Sequence, residues 1–396
     1  MNKKTIRDID IASKRVLLRV DFNVPVDITT GVITDDSRIR AAIPTIEYCL
    51  DKNAMIIIMS HRGRPKGKVV EDQRLEPVAG RLSELLDRPV RVTGDCIGPE
   101  VEQAAAEMKP GDILMLENLR FHKEEEAGDS EFARKLAKLG DVYINDAFGT
   151  SHRAHASISG IAEYLPAAAG FLLEKEINTL GGLLESPDRP FTAVLGGAKV
   201  SDKVNIIKNF IGKVDNLLIG GGMAATFLKA RGLAVGTSNV EDELIETATV
   251  LMQEAEKNGI NLVLPVDAVV ADKISTDAGY ATVQINSVPA DRLIADIGPE
   301  STGNYVDILK KSETVFWNGP MGVVEIEPFA GGTRTLAYTM AEIHATTILG
   351  GGSTAETIDA LGLADEVTFV STGGGASMEF LGGDILPGVA ALADRD

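Results

Sequence analysis

Arginine and histidine crowd one set of loops in this chain, and glycine crowds another. Before about residue 170, short apolar runs open into RVDFNVP (Arg19 to Pro25), SHRGRP (Ser60 to Pro65), ENLRFH (Glu117 to His122) and GTSHRAH (Gly149 to His155). After it they open into LGGAK (Leu195 to Lys199), IGGGM (Ile219 to Met223), WNGPMG (Trp317 to Gly322), LGGGST (Leu349 to Thr354) and STGGGA (Ser371 to Ala376). Loops of the first kind suit a small oxyanion held through side chains. Those of the second suit phosphates held by backbone amides at helix starts. The pattern implies two lobes for two anionic ligands.

Arg38, Arg64, Arg120 and Arg153 lie in or beside the first set of loops, with His61 and His152 as neighbours. Each arginine alone reads as a surface residue. Four aimed at one crevice repel unless an anion joins them, and each charge-assisted bond to it contributes ~1.5–3 kcal/mol. Asp21 and Asn23 either fix a hydroxyl or an arginine, or serve the turn before Pro25. GGAKVSDK puts Lys199 and Lys203 four apart, on one face of a helix expected to begin after Gly197. Lysine in a first helical turn opposes the helix dipole, a conflict that a bound phosphate, or Asp202, would remove.

GGGMAA (Gly220 to Ala225) and GGGSTA (Gly350 to Ala355) fit a loose GxGxxG/A, but neither is followed by the acidic residue that a dinucleotide ribose needs. Glu241 opens a helix, and Thr372 and Gly373 occupy the other position. An NAD-dependent dehydrogenase is therefore disfavoured. GxxxxGK[ST] and HRD loops are absent, which removes the P-loop and protein-kinase architectures. STGGGAS (Ser371 to Ser377) reads either as successive amides at a helix start or as a tight packing turn.

The elements that must position these loops are short apolar runs at Val16–Val20, Met55–Met59, Ile113–Leu116 and Val142–Ile144, separated by helix-period segments such as Arg38–Leu50 and Glu131–Leu139. The alternation resumes at Thr192–Leu195, Leu217–Ile219, Leu262–Leu264, Thr314–Trp317, Thr346–Leu349 and Val367–Val370. Runs without polar alternation indicate strands buried on both faces, hence parallel. The fold class is α/β: two doubly wound, Rossmann-like parallel-sheet lobes, with ligands beyond the carboxyl ends of the strands. Gly170 to Pro190 reads as an amphipathic connecting helix, loosened at Gly181–Gly182 and stopped near Pro187, a candidate hinge. The tail fits either lobe.

The 396 residues also favour two domains. The net charge is −19, with 24 Lys+Arg against 27 Asp+Glu up to residue 170 and 15 against 31 beyond it. So acidic a chain disfavours nucleic acid and anionic membrane as partners and confines anion binding to local pockets. Four of the five histidines precede residue 170, which assigns positive potential to the first lobe. Cys49 and Cys96 lack metal-site spacing and read as reduced structural thiols. With neither a signal-peptide core nor an apolar span, the expectation is a soluble cytoplasmic protein.

Taken together, the chain resembles the phosphoglycerate kinase family over essentially its whole length. RVDFNVP, SHRGRP, ENLRFH, NDAFGTSHRAH, GGAKVSDK, GGGM, LPVD, DIGPES, WNGPMG, STGGGAS and LPGV occur in that family's order. The resemblance implies reversible transfer of the acyl phosphate of 1,3-bisphosphoglycerate to ADP, giving 3-phosphoglycerate and ATP with Mg²⁺, in a glycolytic, cytosolic and usually monomeric enzyme. It implies a phosphoglycerate-binding domain over 1–170 with the returning tail 387–396, a connecting helix over 171–189 and a nucleotide-binding domain over 190–386. By motif, Asp21, Phe22, Asn23, Arg38, His61, Arg62, Gly63, Arg64, Arg120 and Arg153 would bind the phosphoglycerate. Lys199, Lys203, Gly220, Gly221, Asn318, Glu325 and the turn of Gly351, Gly352, Ser353 and Thr354 would hold ATP or ADP. Glu325 looks like the ribose-binding carboxylate. Arg38, Lys199, Lys203 and the amides of Gly373, Gly374 and Gly375 would surround the phosphoryl group in flight.

Two positions depart from the family pattern. Ser353 stands where Asp is usual, near the metal, so the metal ligands are left unassigned. Arg62 stands where Leu is usual and reads either as added positive potential near the acceptor site or, the favoured alternative, as a solvent-facing charge. A non-catalytic two-lobed receptor for a phosphorylated metabolite is the remaining rival, and it gives Lys199 and Lys203 no role.

Overall fold

Strands with no polar side need cover on both faces, and the chain provides it twice. The structure is a computed structural model that describes residues 2–27 and 29–395; the terminal residues 1 and 396, counted with the first lobe, lie outside it. One unit runs to Gly181 and regains the tail from Ile385; the other is Gly182–Asp384.

In the first unit, β1 (Arg15–Arg19), β2 (Met55–Met59), β3 (Val90–Val92), β4 (Ile113–Met115), β5 (Val142–Asn145) and β6 (Ala167–Ala169) form a sheet in the order β3-β4-β2-β1-β5-β6. Every pairing is parallel. Leu18 pairs with both Ile58 and Ile144. The helix Ser37–Asp51 covers this centre because Ile39, Ala42, Ile46 and Cys49 recur at helical spacing and are all buried. Asp129 caps the helix Ser130–Ala137 by accepting the Phe132 N–H at 2.8 Å.

In the second unit, β7 (Phe191–Leu195), β8 (Asn216–Ile219), β9 (Asn261–Val263), β13 (Thr314–Asn318), β14 (Thr346–Gly350) and β15 (Phe369–Val370) form a parallel sheet ordered β15-β14-β13-β7-β8-β9. Between β9 and β13 the chain builds β10 (Asp267–Ala271), β11 (Tyr280–Gln284) and β12 (Leu293–Ile297) into a separate antiparallel sheet. In each large sheet the direction of winding reverses once, between β1 and β5 and between β7 and β13. Such switch points open crevices at the strand ends, the usual seat of ligands in this architecture.

Three local expectations need correction. The small antiparallel sheet is an addition to the all-parallel reading; its edge strand β11 is largely exposed and carries no apolar run. The helix after β7 starts at Val204 rather than after Gly197, so Lys199 and Lys203 do not share a helical face. Glu241 holds the intervening turn open by accepting the N–H groups of Val200 at 2.5 Å and Ser201 at 3.2 Å. The connecting helix Phe171–Glu185 runs unbroken through Gly181 and Gly182, since buried Leu180 and Leu183 on either side anchor it.

Burial also leaves a titratable mark. The Asp296 carboxylate in β12 accepts the N–H groups of Ile297 at 2.9 Å and of Gly332 at 2.8 Å, near the start of the helix Gly331–Glu342. Desolvation outweighs these bonds and pushes its pKa up to about 7, against ~3.9 when unfolded. A raised folded value means that this group's stabilisation is full below ~4 and is lost as pH rises toward 7. Asp296→Asn should therefore flatten the fall in unfolding free energy between about pH 4 and about pH 7, read from urea unfolding curves. The same slope in both proteins would contradict this origin.

Candidate active site

The crevice of the first unit is built on a guanidinium with no access to water. Arg19, at the end of β1, is fully buried. Its Nε donates to Ser157 Oγ at 2.9 Å, one Nη donates to the Val20 carbonyl, and the other lies 3.3 Å from His61 Nδ1. Ser157 Oγ in turn donates to the fully buried Glu125 at 2.5 Å, and the Ser157 N–H reaches the same carboxylate at 3.0 Å. Arg19 and Glu125 thus face each other across one hydroxyl.

Around this pair the expected residues gather. Asp21 accepts Arg38 Nη1 at 2.6 Å and stands 4.0 Å from His61 Nδ1. Asn23 Oδ1 accepts the Gly63 N–H at 2.8 Å, and the Gly63 carbonyl accepts Arg120 Nη1 at 3.0 Å. Gly63 has φ +66°, a conformation that strains any other residue, and the Gln73 amide packs where a Cβ would point. Arg64 and Arg153 are exposed and have no ion-pair partner among the described residues.

Three histidines are shifted toward the neutral form, while the pKa of His122 is raised by its bond to Asp95. His61 is held well below its ordinary pKa, first by burial and then by Arg19, Arg120 and Arg38. His155 is pushed down to about 4 by burial, Arg120, Arg19 and Arg153, and His152 is lowered by burial and Arg153. Beside this crevice the positive potential expected of arginine and histidine together comes mainly from arginine. Arg19, Arg38, Arg120 and Arg153 all act on these histidines, so these four guanidiniums lie close together, whereas Arg64 is not among them.

Two of the named residues do something other than line a crevice. Phe22 is fully buried in the apolar core and only its backbone is near the site, its N–H donating to Ser60 Oγ at 2.9 Å. Arg62 is not solvent-facing: it is 8% exposed and its Nη1 donates to the Arg74 carbonyl at 3.1 Å. The segment before the helix Glu76–Leu86 folds over it and supplies that acceptor. Asn118, given no role from sequence, fastens this arrangement by donating to the carbonyls of Arg62 at 2.7 Å and Gln73 at 2.8 Å.

In the second unit the corner lies where β7 and β13 end. Lys203 is 9% exposed, donates to Asn318 Oδ1, and sits 3.7 Å from Met378 Sδ. Burial lowers its pKa to about 8, and an incoming anion would raise it again. The Asn318 Nδ2 is buried without a partner, a donor left over at a strand end. Three glycine loops pass backbone to backbone here. A Cβ on Gly221 (φ +67°) would lie 2.5 Å from the Gly197 nitrogen, and one on Gly319 (φ +93°) 2.4 Å from the Gly196 oxygen.

The turn after β14 starts the helix Gly352–Ala360, with Gly351 at its cap. Thr354 is buried and accepts the Gly319 N–H at 2.8 Å, so it braces the corner, while Ser353 is exposed. Gly220 packs against Met321 Sδ. Gly374 precedes the helix Gly375–Leu381, and the Gly373 amide is already bonded to Ser371 Oγ at 3.1 Å. Lys199 and Glu325 are exposed.

Arg19, Ser157 and Glu125 had no role in the sequence reading. The signal for Arg19 was a lone charge closing the apolar run RVLLR; Glu125 lay hidden in the run KEEE, which looks solvated.

A family model described as phosphoglycerate kinase matches residues 6–384. The phosphoglycerate kinase of Moorella thermoacetica is 55% identical over 100% of both chains, and that of Roseiflexus sp. 54% over 100% of both. Among solved structures, phosphoglycerate kinase from Coxiella burnetii aligns with TM-score 0.88 at 40% identity, and that from Pyrococcus horikoshii OT3 with TM-score 0.86 at 35% identity. Each alignment covers 98% of both chains.

Proposed function

Because the chain belongs to the phosphoglycerate kinase family, we propose that its two crevices divide that family's reaction between them. The enzyme is a phosphotransferase with a carboxyl group as acceptor. It moves a phosphoryl group reversibly between 1,3-bisphosphoglycerate and ADP, giving 3-phosphoglycerate and ATP in glycolysis. The dehydrogenase and receptor readings draw no support from the relatives named above.

The crevice of the first unit would take the phosphoglycerate, with Arg38, Arg64, Arg120 and Arg153 on its charges, His61, Asp21 and Asn23 on its polar groups, and Gly63 and Arg62 shaping the loop. The corner of the second unit would take the nucleotide, through Lys199, Lys203, Asn318, the amides of Gly220 and Gly221 and the turn Gly351–Thr354, with Glu325 on the ribose. Arg38, Lys199, Lys203 and the Gly373–Gly375 turn would meet the group in transfer. The observation that carries this assignment is Lys203, a nearly buried ammonium beside an unpartnered amide donor at a switch point.

The chemistry fits what these residues offer. The attacking group is already an anion in either direction, a carboxylate or a diphosphate oxygen, so no general base is required. Charge stabilisation and in-line positioning suffice, and guanidiniums, ammoniums and amides supply both. Water competes for the same phosphoryl group. We assign the helix Phe171–Glu185 the role of connector and hinge in a closure that excludes it.

Magnesium would enter with the nucleotide. Ser353 offers a hydroxyl, a weaker Mg²⁺ ligand than a carboxylate, so phosphate oxygens and water would hold most of the coordination shell. We also propose a cytoplasmic monomer, in keeping with the −19 charge; no helix among the described residues is long and apolar enough to cross a membrane.

Coupled turnover of 3-phosphoglycerate and ATP tests the assignment. Lys203→Ala should lower turnover by on the order of 10²–10³ while the fold survives, the effect of losing one charge-stabilising donor; unchanged turnover would remove Lys203 from the mechanism. In the same assay with magnesium titrated, Ser353→Asp should lower the half-saturating concentration, and an unchanged curve would count against a metal near this turn.

A further inference from the structure

At the edge of the first sheet three donors of different kinds meet. Asp95 and Cys96 follow β3, and His122 ends the turn after β4, the strand paired with β3. A carboxylate oxygen of Asp95, the Cys96 Sγ and a ring nitrogen of His122 all lie within 4.8 Å of one another. Asp95 Oδ1 is the pivot: it lies 2.6 Å from His122 Nε2 and accepts the Cys96 N–H at 2.6 Å.

The surroundings hold these groups in place. The Asp95 carbonyl accepts Thr93 Oγ1 at 2.6 Å and the Glu117 N–H at 3.5 Å. The His122 ring packs against Phe132 at 5.3 Å. Cys96 is fully buried, but the Asp95 and His122 side chains are 52% and 26% exposed, so two of the three donors can be reached from solvent.

We propose that Asp95, Cys96 and His122 form a binding site for a borderline transition-metal cation of the Zn²⁺ class, with a fourth position left to water. Thiolate and imidazole select such ions over Mg²⁺, which prefers oxygen donors alone. Donors in a tetrahedral zinc site stand roughly 3.3 Å apart or more, given metal–ligand distances of ~2.0–2.3 Å. The Asp95–His122 contact therefore opens by under about 1 Å on loading, which two partly exposed side chains allow. The ion takes the place of the proton between them, and the thiol proton and any proton on Nε2 pass to solvent. Loading ties the loop after β3 to the segment that carries Asn118 and Arg120, so it stabilises the first unit.

Cobalt(II) titrated into the full-length chain is the test, because a cobalt–thiolate bond has its own charge-transfer absorption. The band should saturate at one equivalent, be displaced by Zn²⁺, survive in Cys49→Ser and vanish in Cys96→Ser. Losing an outer hydrogen-bond partner costs ~10–100-fold in metal affinity, so His122→Gln, which removes a ligand, should weaken binding by more than about 100-fold. Absence of the band, its persistence in Cys96→Ser, or an unchanged affinity in His122→Gln would each overturn the site. If Cys96→Ser does not fold, the His122 variant decides alone.

Discussion

A charge deprived of water at the end of β1 governs the first unit. Arg19 has no exposure, so its five donors have to find acceptors inside the protein, and an unmatched guanidinium there would be strongly destabilising. Ser157 and Glu125 answer it from one side and the Val20 carbonyl from another. Beside this end of the crevice His61 is held well below its ordinary pKa by burial and the guanidiniums around it, and Asp21 holds Arg38. The second unit solves the same problem with an ammonium: Lys203 rests on Asn318 and Met378 in a pocket that lowers its pKa. In both, positive charge is kept out of water beside a strand end.

The two sites differ in how they are kept rigid. The first is a network of side chains reaching across loops, with Asn118 and Asn23 acting as cross-ties to backbone groups. The second relies on backbone contact between glycine turns, braced by the Thr354 hydroxyl. Side-chain networks discriminate between small polar shapes. Backbone cradles accept the repeated, sequence-like pattern of a phosphate chain.

Much of this could be read from the residues. Met55–Met59 was legible to the residue, since five apolar positions in a row have no other stable use, and the helix Ser37–Asp51 showed its period. β3 and β11 were not legible, because VRV and YATVQ are partly or largely exposed and carry no apolar run. The helix start after β7 was misplaced because it depends on Glu241, some forty residues on, capturing two amides. Arg62 misled for the same reason: its acceptor belongs to a segment that only folding brings near. Protonation of His61, His152 and His155 was hidden as well, being set first by burial and then by guanidiniums that folding brings near.

The glycine crossing in the second unit bears on how such a sequence can drift. Gly196, Gly197, Gly221 and Gly319 come from three segments far apart in the chain, and a methyl group on Gly196, Gly221 or Gly319 would meet the backbone of another of these segments. A side chain at any of these three cannot be accommodated by trimming a neighbour alone, because main-chain atoms stand in its way. Substitution there has to move backbone, whatever happens to the surface around it.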